Sequence, residues 1–261
     1  MLRTVTATRY DTPLREGGSL PAIVEADDDG MYVVKFRGAG QGPKALIAEL
    51  VAGEIGRAIG LPVPEIVFVE LDPVLGRTEP DPEIQSLMEA SAGLNIGLDY
   101  LPGSRIFDPL TAPRPDAALA SAVVWLDAYV TNVDRTARNT NMLLWHNQLW
   151  LIDHGAALYF HHRTGWWTDY AERSRSRFPA IREHVLLPFA DALEEADLVL
   201  RSMLTLDKIA EIVADIPGSW LDHDSPPDRS EHRAAYVGYL TDRLASAGFV
   251  EEAIGARESI V

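Results

Sequence analysis

The sequence predicts an α+β protein of two lobes, a small antiparallel-sheet lobe followed by a larger, mostly helical one. Three observations predict it. β-Branched and alternating segments crowd the first hundred or so residues, and from residue 116 the texture turns to apolar-faced helix. No internal repeat or low-complexity linker interrupts the 261 residues, a length that suits one large domain or two small lobes over a shared core. We place the boundary between residues 1–101 and 102–261.

Strands are expected at Thr4–Tyr10, Ala22–Glu25 and Tyr32–Phe36. Gly17, Gly18 and Ser19 separate the first two, and "DDDG" (27–30) reads as the hairpin turn between the second and third. A helix follows from Pro43 to Ile59, with Leu46, Leu50, Ile55 and Ile59 on an apolar side and Gly60 as its stop. "LPVPEIVFVELD" (61–72) is the next strand. After a Pro- and Glu-rich segment (79–90), "GLNIGLDYLPGS" (93–104) is a last strand running into a connector.

In the second lobe, "DAALASAVVWLDAYVTNV" (116–133) fits a buried helix. "MLLWHNQLWLID" (142–153) is two apolar runs around His-Asn-Gln, a strand–turn–strand pattern. Helices at 183–204, 206–216 and 233–248 complete the chain.

Composition bounds the function. Apolar residues at 47% and charged residues at 24% are the balance of a soluble globular protein. No apolar run approaches bilayer length, and the N-terminus lacks the basic-then-apolar layout of a signal peptide, so a cytoplasmic protein is expected. The chain has no cysteine, which excludes disulfides, thiolate metal sites and cysteine nucleophiles. A net charge of −16 repels phosphate backbones and anionic lipid, so no nucleic-acid or membrane partner is expected. Only three of the 23 basic residues are lysines, Lys35, Lys44 and Lys208, and a lysine set in a strand therefore stands out.

The chemistry concentrates in "NVDRTARNTNMLLWHNQLWLIDHG" (132–155). If Asn139 enters the hairpin and Asp153 leaves it, the pair returns to one place, because neighbouring strands lie only about 5 Å apart. A carboxylate and an amide oxygen, completed by phosphate oxygens and water, suit Mg²⁺. Asp134, on the loop just before, is then free to face an attacking hydroxyl. This spacing fits a phosphoryl-transfer site. Such a site also needs a strand lysine on the phosphates and a helical glutamate to orient it. "YVVKF" supplies Lys35, and "LIAELVAGEIG" offers Glu49 or Glu54. The Gly17–Ser19 turn would let backbone amides approach phosphate.

Taken singly, each residue has a plainer reading. Asp134 would be a cap, Asn139 a turn residue, Lys35 a guard on an edge strand and Gly17-Gly18 an ordinary turn. The five-residue step, the hairpin and the glycine after Asp153 together reverse that reading. Asp127 is expected to cap or brace the loop. His154, His161 and His162 lack the spacing of a metal site, and Trp166 and Trp167 are expected to pack under a loop or line a substrate entrance. "ERSRSRF" (172–178) is the most basic run. Its Ser174 or Ser176 is a candidate for modification and its arginines for an anion, beside the plainer reading of a solvated helix start.

With these residues in view, the chain resembles the HipA-like kinases, in particular the small members that lack an extra N-terminal subdomain. The resemblance is carried by "YVVKFRG", "GLPVPE", "NIGLDYLPGS", "WLDAYVTNVDRTARNTNMLLW" and "LIDHGAALYFHH", spread over residues 15–165; the C-terminal third matches only in helical character. "DRTARN" followed by "LID" is also similar to the motif of phosphoinositide kinases and, more distantly, aminoglycoside phosphotransferases.

The resemblance implies a two-lobed protein-kinase-like fold with ATP between the lobes. It implies Asp134 as catalytic base, Asn139 and Asp153 as Mg²⁺ ligands, Lys35 on phosphate, and the connector Asp99–Tyr100–Leu101 facing adenine. Family position favours Glu49 over Glu54 as the partner of Lys35. There are departures. Asn132-Val133 replaces the usual His-Arg, His154 stands where many protein kinases have Phe, Thr136 stands where phosphoinositide kinases have His, and the glycine turn is short. The expected activity is ATP- and Mg²⁺-dependent transfer to a hydroxyl, a protein Ser or Thr. The alternatives are an amino-sugar-type phosphotransferase and a nucleotide-binding pseudokinase.

Overall fold

A computed structural model describes residues 2–14, 20–40, 42–111, 113–222 and 228–260. Five strands, β1 (Thr4–Pro13), β2 (Ala22–Ala26), β3 (Met31–Lys35), β4 (Ile66–Leu71) and β5 (Gly93–Asp99), form a closed barrel in the order β1-β2-β3-β5-β4. The expected antiparallel sheet is thus corrected in one respect. β1 pairs with β4 in parallel, from Thr4↔Phe68 to Thr6↔Glu70, while the other neighbours are antiparallel. The cause lies in β1 itself. Its pairing with β2 shifts register between Ala7 and Arg9 and again between Tyr10 and Thr12, and such irregularities bend a strand. Its first residues therefore lie on β4 and its later ones on β2. The strand order places β3 between β2 and β5, so Lys35 is not on an edge strand.

Helix α1 (Pro43–Ala58) follows β3, and α2 (Pro82–Ala90) joins β4 to β5. No element is expected in the Pro- and Glu-rich segment 79–90. Asp81 in fact accepts the Glu83 amide at 3.0 Å as an N-cap, Pro82 opens the helix, and Ile84 and Met88 are buried one turn apart. Those two side chains join Val5, Val24, Val34, Val67 and Val69 in the small core of the barrel.

The larger core takes in α1. Leu46, Leu50, Ile55 and Ile59 lie in one cluster with Ile66, Phe68, Ile96 and Leu98 of the barrel and with Trp125, Leu126 and Tyr129 of α3 (Ala117–Val130). The helix that carries Glu49 is thereby held against the same interior as the loop after α3. Strands β6 (Arg105–Ile106), β7 (Met142–Trp145) and β8 (Gln148–Leu151) form a second sheet in that order.

The remaining helices are α4 (Tyr170–Arg173), α5 (Leu193–Met203), α6 (Leu206–Ala214), α7 (Gly218–Leu221), α8 (Arg229–Ala245) and α9 (Gly248–Glu258). The expected helix at 183–204 is shorter than predicted. 3₁₀ turns occupy Pro179–Glu183 and Leu187–Phe189, and α5 begins only at Leu193. Pro188 explains this, because it has no N–H to donate and biases the residue before it away from helix. α8 starts four residues earlier than expected, where Asp228 accepts the amides of Ser230 at 2.6 Å and Glu231 at 3.0 Å. Among the described residues, no helix is long and apolar enough to cross a membrane.

Candidate active site

The loop that carries Asp134 starts where α3 ends. Thr131 adopts a left-handed conformation (φ 54°) and turns the chain sharply. The Asn132 amide then donates to the Asp127 carbonyl at 2.9 Å, and its side-chain Nδ2 donates to Asp127 Oδ1 at 3.0 Å. Asn132 Oδ1 accepts the Asp134 amide at 3.1 Å, which fixes the backbone at Asp134. Asn132, a departure from the kinase pattern, thus replaces the usual residue with a brace of its own.

Thr136 N donates to the Asn139 carbonyl at 2.9 Å and closes a turn. Within it Asn139 Nδ2 donates to Asp134 Oδ2 at 2.7 Å, so the structure brings these two predicted residues together. Asn139 does not enter the strand as expected. It is an exposed loop residue, and the buried Asn141, just before β7, also donates to Asp134 Oδ2 at 3.3 Å. Sequence reasoning missed Asn141, although the repeated Asn-x-Asn at 139–141 marks it.

The hairpin is present. His146 and Asn147 both have positive φ, 49° and 60°, the geometry of a two-residue type I′ turn between Trp145 and Gln148. It returns the chain so that Ile152 N donates to the Asn141 carbonyl at 3.0 Å, and Asp153 follows in a left-handed conformation (φ 53°). Leu158 N donates to the Val130 carbonyl at 2.7 Å and fastens the next segment beside the Asp134 loop.

Lys35 meets Asp153 from the barrel side. Its Nζ donates to Glu49 Oε2 at 2.6 Å and to Asp153 Oδ1 at 2.5 Å. Glu49 is fully buried and the Lys35 side chain is only 11% exposed, whereas the Asp153 side chain is 42% exposed, so Asp153 is the solvent-facing member of the three. Burial alone would raise the Glu49 carboxyl, but the facing Lys35 ammonium and His154 hold it down at about 2. Burial likewise pushes Lys35 down, and the two carboxylates outweigh it, leaving the ammonium more firmly protonated than an ordinary lysine. Glu54 is the wrong candidate for this pair. It lies beside Arg57 at 3.1 Å.

Asp127 is the brace the sequence suggested, and Arg135 is its unpredicted partner. Both are fully buried, with Arg135 Nε on Asp127 Oδ2 at 2.5 Å. Arg135 Nη1 also donates to the carbonyls of Asn141 and, at 3.4 Å, Ile152. One guanidinium therefore ties the Asp134 loop to both strands of the hairpin.

The other predicted residues fall as follows. Asp99 closes β5, and its amide and that of Tyr100 donate to the carbonyls of Glu65 and Met31, both at 2.9 Å; Leu101 is buried. Gly17, Gly18 and Ser19 lie outside the described residues. Trp166 is buried against Phe160 and Tyr236 rather than opening to solvent. Ser174 is buried and its hydroxyl donates to the Ala171 carbonyl at 2.9 Å, while Ser176 is exposed.

Residues 10–249 match the family model for HipA-like kinases. Among solved structures, the Helicobacter pylori proinflammatory kinase CtkA superposes with a TM-score of 0.60 at 13% identity, covering 100% of both chains. The Golgi casein kinase with Mn/ADP bound gives a TM-score of 0.52 at 11% identity over 96% of this chain and 74% of that one. A second Golgi casein kinase structure gives 0.50 at 11% identity over 99% and 75%. At such identities the likeness to these structures is one of fold. A search of curated proteins returns no match.

Proposed function

The chain belongs to the HipA-like kinase family and is a phosphotransferase, and we propose that it moves the γ-phosphoryl group of ATP to the hydroxyl of a protein Ser or Thr. The observation that carries this reading is Lys35 clasped by Glu49 and Asp153, with Asp134 and Asn139 bonded to each other on the adjoining loop.

In this proposal Asp134 accepts the proton of the acceptor hydroxyl and orients it, and Lys35 grips the α- and β-phosphates. Lys35 would exchange its bond to Asp153 for one to phosphate, freeing that carboxylate. Glu49 keeps the ammonium from following. Asn139 and Asp153 would hold Mg²⁺. Among the described residues no three His, Cys, Asp or Glu side chains converge on a metal-sized point, which suits an ion that takes few protein ligands and completes its shell with water and phosphate. When bound, Mg²⁺ supplies neutralisation of phosphate charge. Catalysis rests on positioning and electrostatics rather than on a covalent intermediate.

We assign residues 1–101 to nucleotide phosphate binding and 102–261 to the catalytic loop and metal site. Asp99, Tyr100 and Leu101 would face adenine, and Gly17, Gly18 and Ser19 the phosphates. The amides of Asp99 and Tyr100 already have partners, so adenine would be read there by other groups. We place the reaction in the cytoplasm, with no nucleic-acid or membrane partner.

The net charge of −16 keeps a cationic amino sugar in view as the acceptor. Against it, Arg138 lies exposed on the same loop as Asp134 and repels a cation locally. Transfer from γ-labelled ATP with Mg²⁺, offered host lysate and a panel of amino sugars, tests the choice. Label on protein supports the proposal, and label on a sugar replaces it with the small-molecule reading. Mg²⁺-dependent ATP binding without transfer to any acceptor makes the chain a pseudokinase.

A further inference from the structure

His184 reaches the Asp134 loop from far along the chain. A one-residue bridge pairs it with Thr136, and Val185 N donates to the Arg135 carbonyl at 3.1 Å. The ring is buried, and both its nitrogens have partners. The Leu186 amide lies 3.0 Å from Nδ1, and Nε2 lies 2.9 Å from Asp127 Oδ2. A backbone N–H can only donate, so Nδ1 must carry a lone pair and the ring proton belongs on Nε2. The imidazole is therefore neutral, and it donates to Asp127.

Charge bookkeeping agrees. Asp127 and Arg135 already neutralise each other in the interior, and a charged His184 would leave a surplus cation there. Burial pushes the His184 imidazolium below its ordinary value, and Arg135 adds to that push against the pull of Asp127.

From Asp127 the bonds continue to Asn132 Nδ2 at 3.0 Å, and from Asn132 Oδ1 to the Asp134 amide at 3.1 Å. A run of directional hydrogen bonds thus leads from Leu186 to the backbone of Asp134. The segment that bears His184 is held at its other end too. Arg243, also buried, donates to the carbonyls of Ser174 at 3.1 Å and Ser176 at 3.0 Å, and to those of Ala128 and Tyr129 at the end of α3, both at 2.8 Å.

We propose that neutral His184, through its Nε2–H bond to Asp127, is a positioning residue that locks the loop carrying Asp134 to the segment around residues 179–187. The kinetic part of this proposal rests on the reading of Asp134 as the phosphoryl-transfer base; the structural part does not. Removing His184 leaves the Asp127–Arg135 charge pair intact, so the effect falls on loop placement rather than on the balance of buried charge.

Two variants and one spectrum test it. H184F keeps a ring and removes both hydrogen bonds, while H184Q keeps a donor for Asp127. H184F is expected to lower kcat on the order of 10²-fold, the cost of a misplacement of about 1 Å, with KM for ATP unchanged. H184Q is expected to recover most of that loss. Amide hydrogen exchange over residues 132–139 should quicken in H184F, whether or not transfer is detectable, and the imidazole ¹⁵N spectrum of the unmodified protein should show the Nε2–H tautomer. Wild-type kcat and wild-type exchange in H184F overturn the proposal, as does an Nδ1–H tautomer. Quickened exchange in a protein that transfers no phosphate upholds the positioning role and removes the kinase reading instead.

Discussion

Replacing Lys35 by methionine removes the cation from between Glu49 and Asp153 while keeping most of the side-chain volume. In the folded protein the Glu49 carboxyl is held at about 2, against an ordinary value of 4.5. Each pKa unit is worth 1.36 kcal/mol, so this group contributes about 3 kcal/mol to stability. The sign follows from a depressed carboxyl. The contribution is fully present above about pH 4.5 and is lost as pH falls toward 2. In K35M the Lys35 part of the pull on Glu49 is gone and burial is opposed by His154 alone, so the Glu49 carboxyl rises and the variant gains less stability than the wild type as pH rises. The gap between wild type and K35M therefore widens with pH. It is about 2 kcal/mol near pH 3.5, where a carboxyl held at about 2 is still ionised in the folded protein, and reaches about 3–5 kcal/mol at pH 7, the usual cost of leaving a buried charge without its partner. Urea denaturation at both pH values, with the slope checked for constancy, measures it. An equal gap at the two pH values, or a larger one at pH 3.5, would refute this electrostatic account of the Lys35–Glu49 pair.

Two further outcomes are expected. E49Q should cut phosphoryl transfer on the order of 10²-fold by loosening Lys35, and E54Q should leave it unchanged because Glu54 faces Arg57; steady-state assays on both variants decide between the two helix glutamates. Asn147, at φ 60° in the hairpin turn, should tolerate glycine without loss, whereas a β-branched valine there should cost about 1–2 kcal/mol, read from the midpoint of thermal or urea unfolding.

The site was legible because its residues sit close together in sequence. Asp134, Asn139 and Asp153 are separated only by a short turn and one hairpin, and His146-Asn147 at the centre of that hairpin announces the reversal. Lys35 was legible as a lysine in an apolar strand, and Glu49 only through family position, since α1 carries a second inward glutamate. What local pattern could not show was long-range pairing. The parallel contact of Thr4–Thr6 with β4 depends on bends in β1 that no single residue marks, and it is this contact that closes the barrel. Pro82 and the glutamates around it masked α2, although Asp81 before Pro82 is a helix-start signal. Pro188 cut a pattern whose apolar spacing otherwise suited helix. The braces at Arg135, Asn141 and His184 were hidden for another reason: burial and hydrogen bonding give them meaning, and neither is written in residue type.

The central claim is that Asp134 and Asp153 divide the labour of phosphoryl transfer. The direct test measures Mg²⁺-dependent ATP binding and transfer from γ-labelled ATP in the wild type, D134A and D153A. D134A should bind Mg²⁺-ATP as the wild type does and lose transfer on the order of 10³-fold, as removal of a positioned base predicts. D153A should lose both transfer and the Mg²⁺ dependence of binding. Transfer that survives in either variant at the wild-type rate would contradict the assignment of these two carboxylates.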